Sequence, residues 1–160
     1  MRRHLAYLGY VLRHKGYVFV ECLRLGVPLW IAILHDWTKF LPDEWFAYVR
    51  SFYTTDGARQ FQPDPAFTKA RLLHQKRNKH HPQSRVFIGD CGGIEPVPMP
   101  DVYRRELLAD WRRAAKSTGK PDLLGWYADC AHEMPFHPET RTWIEAQLGY
   151  KPQEAAAQNE

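Results

Sequence analysis

Cysteine is scarce in this sequence of 160 residues, which contains only Cys22, Cys91 and Cys130. They are widely spaced and form no Cys-x-x-Cys pair, which argues against a disulfide framework or a thiolate zinc site and favours a reducing compartment. Long apolar runs are also missing, because the longest uncharged one, from Leu25 to Leu34, is too short to span a bilayer. We therefore expect a soluble, cytoplasmic protein without a membrane partner.

The composition is that of an ordinary globular chain with a small basic excess. Hydrophobic residues make up 44% and charged residues 25%, and the length suits one domain with a buried core. The formal charge of +4 is compatible with a phosphorylated substrate, although many basic proteins bind none. We expect a single domain over residues 1–150 and a disordered polar tail over residues 151–160.

Helical periodicity predicts an all-α bundle of about six to seven helices. An apolar stripe runs along residues 3–25, and Pro28 begins a second segment that continues to about Lys39. This segment is apolar on every side and should be the central buried helix. Proline and acidic start signals predict further helices near residues 42, 65, 100, 121 and 138. Prolines and glycines in residues 83–99 predict one long loop with a short hairpin around residues 86–88.

The adjacent pair His35-Asp36 is the most informative feature, because it closes the most hydrophobic segment of the chain. A buried imidazole beside a carboxylate needs charge compensation, which a divalent cation provides; the alternative is a helix-end cap with one hydrogen bond. His14 lies on the apolar stripe of the first helix, and Asp110 lies on the inner stripe of a later helix. Their structural alternatives are a satisfied core histidine and a buried salt bridge.

Three further histidines, His74, His80 and His81, lie within one short stretch. On an unbroken helix, His74 and His81 would share a face with Asn78, whereas His80 would point elsewhere unless the helix unwinds before Pro82. The alternative is a basic, solvated helix end. Position on the helix favours His81 as a ligand over His80, but the choice between them stays open.

The order His14, His35-Asp36, Asp110 resembles the H…HD…D pattern of the HD-domain superfamily of metal-dependent phosphohydrolases, which is built on a helical bundle. The chain also looks like small HD-like bacterial and phage proteins of unknown function. The resemblance implies one or two divalent cations of Mn, Fe, Co, Ni, Zn or Mg, with Asp36 as a possible bridge. The ligands it implies are His14, His35, Asp36, His74, His80, His81 and Asp110.

The run His35-Asp36-Trp37-Thr38-Lys39 is similar to the HDxxK extension of several HD enzymes, in which the lysine contacts phosphate. The resemblance therefore implies catalytic roles for Asp36 and Lys39, with Lys39 also binding substrate from the rim of the site. The alternative for Lys39 is a surface lysine. Asn78 and Arg104 are further candidate substrate contacts, with a solvated arginine as the alternative for Arg104.

Together with the resemblance, the sequence predicts a metal-dependent hydrolase of phosphoric esters or anhydrides, acting on a nucleotide or another small phosphate ester. One alternative is an oxygenase, because some HD-fold proteins hold two irons with the same ligand set. Another is a non-catalytic helical module that binds nucleic acid or protein through the basic run from Arg71 to Arg85. A nucleic-acid partner is not favoured, and the metal, the substrate and the oligomeric state stay open.

Overall fold

The computed structural model describes residues 1–117, 122–130 and 133–151, and the described chain is mostly helical. Its α-helices are α1 (Arg2–Arg24), α2 (Leu29–Leu34), α3 (Pro42–Phe52), α4 (Pro65–Arg77), α5 (Asp101–Ser117), α6 (Leu123–Cys130) and α7 (Pro138–Leu148). The predicted all-α class and helix number are confirmed. Residues 152–160 of the predicted tail lie outside the described ranges, and the single domain over residues 1–150 stays a prediction.

Helices α3, α4 and α7 begin at the proline signals of the sequence. Pro42 and Pro65 occupy first-turn positions, where the missing N–H of proline costs no hydrogen bond. Asp64 caps α4 by accepting a hydrogen bond of 2.7 Å from the backbone N–H of Phe67. These predicted helix starts are confirmed.

The predicted second helix is wrong in its length. Helix α2 ends at Leu34, because Asp36 adopts a left-handed backbone conformation with φ 53 that an α-helix cannot continue through. The chain then resumes as a 3₁₀ helix over Trp37–Phe40. The His35-Asp36 pair therefore lies in a tight turn between two short helices.

The prediction that this segment forms the central buried helix is also wrong. Only Ile31 and Ala32 of α2 are buried, whereas Trp30 is 61% exposed. The reason is that α2 packs one face against α1 and α5, and its other face has no cover in the described part of the chain. In the described residues, no helix combines the length and apolarity that crossing a membrane requires.

The predicted long loop is partly ordered. A 3₁₀ helix over Pro82–Arg85 leads into strand β1 (Val86–Ile88), which pairs in antiparallel fashion with strand β2 (Ile94–Pro96). The predicted hairpin is confirmed, and the loop over residues 83–99 also contains part of the 3₁₀ helix. The left-handed φ of 83 at Gly92 lets the chain turn between the strands.

Three apolar clusters hold the helices together. The first joins α1, α3 and α4 around Tyr7, and the second joins α1, α2 and α5 around Val18. The third joins α5, α6 and α7 around Leu107 and Ile144. His14 lies on α1 between the first two clusters, so a polar site at this position is enclosed by apolar packing on both sides.

Candidate metal centre

Asp36 is the centre of a buried polar cluster. It is the one non-glycine residue of the described ranges with a positive φ. Aspartate tolerates this conformation better than most residues, and such strain concentrates at functional sites. The turn places His35 and Asp36 in the same cluster, where they are only 1% and 2% exposed.

The imidazoles of His14 and His35 lie close to the Oδ2 atom of Asp36 and to Asp110. His14 Nε2 lies 3.3 Å from this oxygen and 3.3 Å from Asp110 Oδ1. His35 Nε2 lies 3.4 Å from Asp36 Oδ2 and 3.8 Å from Asp110 Oδ1. Packing of α1 against α5 thus brings together the four residues of the H…HD…D pattern.

The other carboxylate oxygen of Asp36, Oδ1, faces the histidines that end and follow α4. It lies 3.3 Å from His74 Nε2 and 3.5 Å from His80 Nε2. His81 adds a third nitrogen, because one ligand atom each of Asp36, His74 and His81 lie within 4.8 Å of one another. All seven predicted metal ligands are therefore brought together.

The His-His doublet reaches the cluster because α4 ends at Arg77. Asn78 leaves the helical conformation, and His81 is extended, as residues before proline usually are. The unbroken helix on which His74, Asn78 and His81 would share a face does not form, because the chain unwinds before Pro82. Both imidazoles of the doublet face the cluster, so the preference for His81 that came from helix position disappears.

The spacing of these atoms suits bound cations better than hydrogen bonds. Ligands about 2.1 Å from a tetrahedral cation lie about 3.4 Å apart, and the histidine nitrogens nearest to the Asp36 carboxylate lie 3.3 to 3.5 Å from its oxygens. Asp36 Oδ1, His80 Nε2 and His81 Nε2 are buried without a hydrogen-bond partner among the described residues. Because buried polar atoms rarely lack partners, these residues fit a pair of cations that share Asp36.

Glu106 contacts two of the histidines from behind. Its Oε1 atom lies 2.8 Å from His35 Nδ1 and 3.2 Å from His80 Nδ1. Burial alone would raise the pKa of Glu106, but these contacts lower it to about 2, so the carboxylate is charged and accepts. A proton on Nδ1 leaves the Nε2 lone pair of each ring facing Asp36. Carboxylates orient histidine ligands in this way in known metal sites.

Glu44 has the same relation to His74. It is fully buried, and its Oε2 atom lies 2.9 Å from His74 Nδ1 and accepts a hydrogen bond of 3.0 Å from Thr38. Its Oε1 atom accepts from Arg77 at 3.0 Å, which offsets the charge of the buried carboxylate. Three of the five clustered histidines are thus oriented by a buried glutamate.

The protonation states of the cluster suit metal ligation. Burial alone would raise the pKa of Asp36, but His35 and Lys39 hold it well below its usual range. Burial lowers the pKa of His35. Burial and the neighbouring His80 lower the pKa of His81 well below its usual value. Burial would also lower the pKa of His74, but its hydrogen bonds to carboxylates raise it, so a cation there would replace a proton.

Lys39 lies deeper than the predicted position at the rim. Its Nζ atom is 2.5 Å from Asp36 Oδ2, and the residue is 9% exposed. Burial alone would lower the pKa of Lys39, but the nearby charge of Asp36 raises it, so the ammonium stays charged. The left-handed turn and the 3₁₀ helix that follows it place Lys39 over the carboxylate.

Two predicted substrate contacts have other partners. Asn78 is 6% exposed, and its amide donates to Thr38 Oγ1 at 2.7 Å and to the carbonyl of His74 at 2.8 Å. It closes the end of α4, and a substrate-binding role for this amide stays a prediction. Arg104 pairs with Asp101 at 2.9 Å and has no described contact with the cluster.

Sequence reasoning missed Glu44, Glu106 and Lys15. The position of Glu106, one helical turn before Asp110, was a usable signal, because residues four apart share a helix face. Glu44 carried no signal beyond an acidic first turn. Lys15 donates from its Nζ atom to the carbonyl oxygen of His35 and so supports the turn, which nothing in its spacing indicated.

The chain matches the model of a family of unknown function (DUF5662) over residues 3–150 and belongs to that family. No curated protein and no solved structure matches the chain. An interpretation of the centre therefore rests on its own residues and geometry.

Proposed function

We propose that this member of the DUF5662 family is an HD-type, metal-dependent phosphohydrolase of a nucleotide or another small phosphate ester. One observation carries the proposal. Five histidines and Asp110 converge around Asp36 from separate segments, and buried glutamates orient three of the histidines. A structural polar cluster has no need for several Nε2 lone pairs directed at one carboxylate.

The centre offers two ligand sets that share Asp36. The first half consists of His14, His35, Asp36 and Asp110. The second half consists of Asp36, His74, His80 and His81. Divalent cations held there would polarise phosphoryl oxygens and lower the pKa of water to near neutrality.

The remaining charges suit a phosphate ester. Lys39 lines the cavity next to His74 and His81, and its buried ammonium can bind an anionic phosphate oxygen. Asp36, held charged by its neighbours, provides the carboxylate that both halves need. Glu106 and Glu44 act as positioning residues, because they touch only the histidines and hydrogen-bonding partners behind the cluster.

The test begins with metal analysis of protein purified without chelators. We expect about one to two divalent cations per chain, as a shared two-cation site requires. The metal-loaded protein is then assayed for phosphate release from a panel of nucleotides and small phosphate esters with Mn, Co or Ni. We expect release by the wild type and loss of both metal and activity in Asp36→Asn.

The outcomes separate the alternatives. Absence of divalent-cation binding, or metal binding without phosphate release from any ester of the panel, would overturn the proposal. Two irons per chain with oxygen consumption would support the oxygenase, because the same imidazole and carboxylate ligands suit iron.

The basic run predicted for a binding module is largely engaged within the fold. Arg77 pairs with Asp43 at 2.6 Å, and Lys79 and Arg85 lie over the ring of Tyr103. These contacts leave fewer free cations on the surface than the sequence suggests. We therefore favour the phosphohydrolase over a nucleic-acid or protein-binding module.

A further inference from the structure

A cavity of about 520 Å³ opens beside the second half of the centre, where Lys39, His74 and His81 form part of its lining. Pockets that hold small organic ligands span about 300–1,000 Å³. The cavity is therefore large enough for a phosphate ester with a ring-sized leaving group. Its remaining walls have two features, aromatic rings and arginines.

Three phenylalanines form the aromatic wall. The ring centroids of Phe52 and Phe61 are 5.3 Å apart, and both lie within 5.7 Å of the centroid of Phe67. Phe67 is buried and Phe52 half-buried, whereas Phe61 is 60% exposed. An exposed ring fixed by two buried or half-buried ones offers a surface on which another planar ring can pack.

Arg71 reaches the cavity from α4. Phe67, Arg71 and His74 follow one another at helical spacing and share a face. The guanidinium is thus carried by the same rigid element as a candidate metal ligand, one turn before it. This placement suits a group that binds a substrate already held at the centre.

Arg59 reaches the cavity from the segment between α3 and α4. Tyr53 and Arg59 pair as an antiparallel bridge, and the N–H of Gln60 donates to the carbonyl of Phe52 at 2.9 Å. Gly57, with φ 94, makes the turn that returns the chain. The guanidinium also lies 5.8 Å from the ring centroid of Tyr10, so Arg59 is positioned by several contacts.

Neither arginine forms an ion pair with any residue that the structure describes. Other arginines nearby do, because Arg50 pairs with Asp64 and Arg77 pairs with Asp43 and Glu44. Two such guanidiniums at one aromatic cavity favour an anionic ligand. Their planar donor groups match the oxygens of a phosphate.

We propose that this cavity is the substrate pocket of the centre, and that it takes a small phosphate monoester with an aromatic ring in its leaving group. Arg59 and Arg71 bind phosphate oxygens, and Phe61 packs against the ring. As a substrate assignment, this inference rests on the proposed function.

Binding is measured with two phosphonates, in which a carbon–phosphorus bond replaces the ester bond and prevents hydrolysis. Benzylphosphonate carries a ring, and propylphosphonate has a similar charge without one. We expect calorimetry of the metal-loaded protein to show tighter binding of benzylphosphonate. Arg59→Gln and Arg71→Gln should each weaken it by about tenfold or more, as expected for a lost charged hydrogen bond, and Arg71→Lys should recover part of the loss.

Lys69→Gln is the matched control, because it removes one positive charge from an exposed position of α4 that does not line the cavity. It should change affinity less than twofold, since an exposed charge contributes little. Phe61→Leu should weaken benzylphosphonate and leave propylphosphonate unchanged. Unaltered binding in both arginine variants, or equal affinity of the wild type for both phosphonates, would overturn the inference.

The two proposals fail separately. If binding depends on the arginines but no ester of the panel, aryl phosphates included, releases phosphate, the pocket proposal stands and the hydrolase proposal is overturned. If wild type, Arg59→Gln and Arg71→Gln release phosphate from phenyl phosphate with the same KM, the hydrolase proposal stands and the pocket proposal is overturned.

Discussion

The two halves of the centre share Asp36 but are built in different ways. In the first half, His14 and Asp110 lie within long helices that pack against each other between apolar clusters. In the second half, His80 and His81 lie in the turn that follows the end of α4. One half depends on helix packing, and the other depends on the place where a helix stops.

The halves also differ in how their histidines are supported. Glu106 contacts His35 of the first half and His80 of the second, whereas Glu44 contacts His74 of the second half alone. The two halves are therefore joined twice, once through the Asp36 carboxylate and once through Glu106. We expect changes at these joints to affect both halves and changes elsewhere to affect one.

Replacement of the shared carboxylate should have the largest effect. Asp36→Asn keeps a side chain that tolerates the left-handed backbone, so the change tests charge and ligation with little added strain. We expect both cations to be lost, with affinity lowered by more than about 100-fold, because loss of a supporting contact alone lowers it by 10- to 100-fold. Metal content after dialysis measures this.

Asp90→Asn provides the matched control, since Asp90 is exposed near the hairpin turn and belongs to none of the ligand groups of the centre. Its metal content should equal that of the wild type. Full metal occupancy in Asp36→Asn would show that the halves do not share this residue.

Removal of one unshared ligand from each half should separate the halves. We expect His14→Ala and His81→Ala each to lose about one cation per chain and to retain the other, as independent ligand sets require. Elemental analysis and metal titration give the stoichiometry. His137→Ala, at the start of α7, should keep both. Loss of both cations in either single variant would contradict two separable halves.

The supporting glutamates should have the next largest effect. We expect Glu106→Gln to weaken cation binding in both halves by about 10- to 100-fold, and Glu44→Gln to weaken only the second half to this extent. Competition with a chromophoric chelator resolves the two affinities. The exposed Glu139 offers a control as Glu139→Gln. Identical effects of Glu106→Gln and Glu44→Gln on cation binding would contradict the prediction that Glu106 supports both halves and Glu44 only the second.

The cluster around α6 and α7 should be separable from both halves. Ile144 is fully buried there, and Ile144→Ala should lower the free energy of unfolding by about 2–5 kcal/mol through the cavity that it leaves. Denaturant unfolding of the metal-free protein measures this loss. Metal affinity should stay within about twofold, because sites without shared contacts are nearly independent. A large drop in affinity would make this region part of the centre.

Residue pattern and order predicted the first half better than the second. His14 and Asp110 were found because their helix faces can be inferred from periodicity, and Asp36 was found because it stands beside His35 after an apolar segment; the structure brings the three together. The second half was predicted from residue type, but the choice between His80 and His81 stayed open, since it depends on where α4 ends. The side chain of Asn78, which caps α4, is a local contact that periodicity does not reveal.

The supporting and pocket residues were beyond the sequence for a different reason. Glu44 looked like an ordinary acidic residue of a helix start, and no pattern in the sequence marked Arg59. Their roles depend on which residue of another segment lies opposite, such as His74 for Glu44. Contacts of this kind depend on packing between segments, so no regular spacing of residues in the sequence predicts them.

The sequence by itself determined the all-helical class, most helix starts and the identity of the clustered ligands, because proline, caps and apolar spacing act over one or two helical turns. Only the tertiary structure decided that the chain turns left-handed at Asp36 and that α4 stops before the doublet. It also decided that two arginines without an ion pair among the described residues meet at an aromatic cavity. These features arise from contacts between segments far apart in sequence. Such contacts stabilise the fold only once the helices have packed.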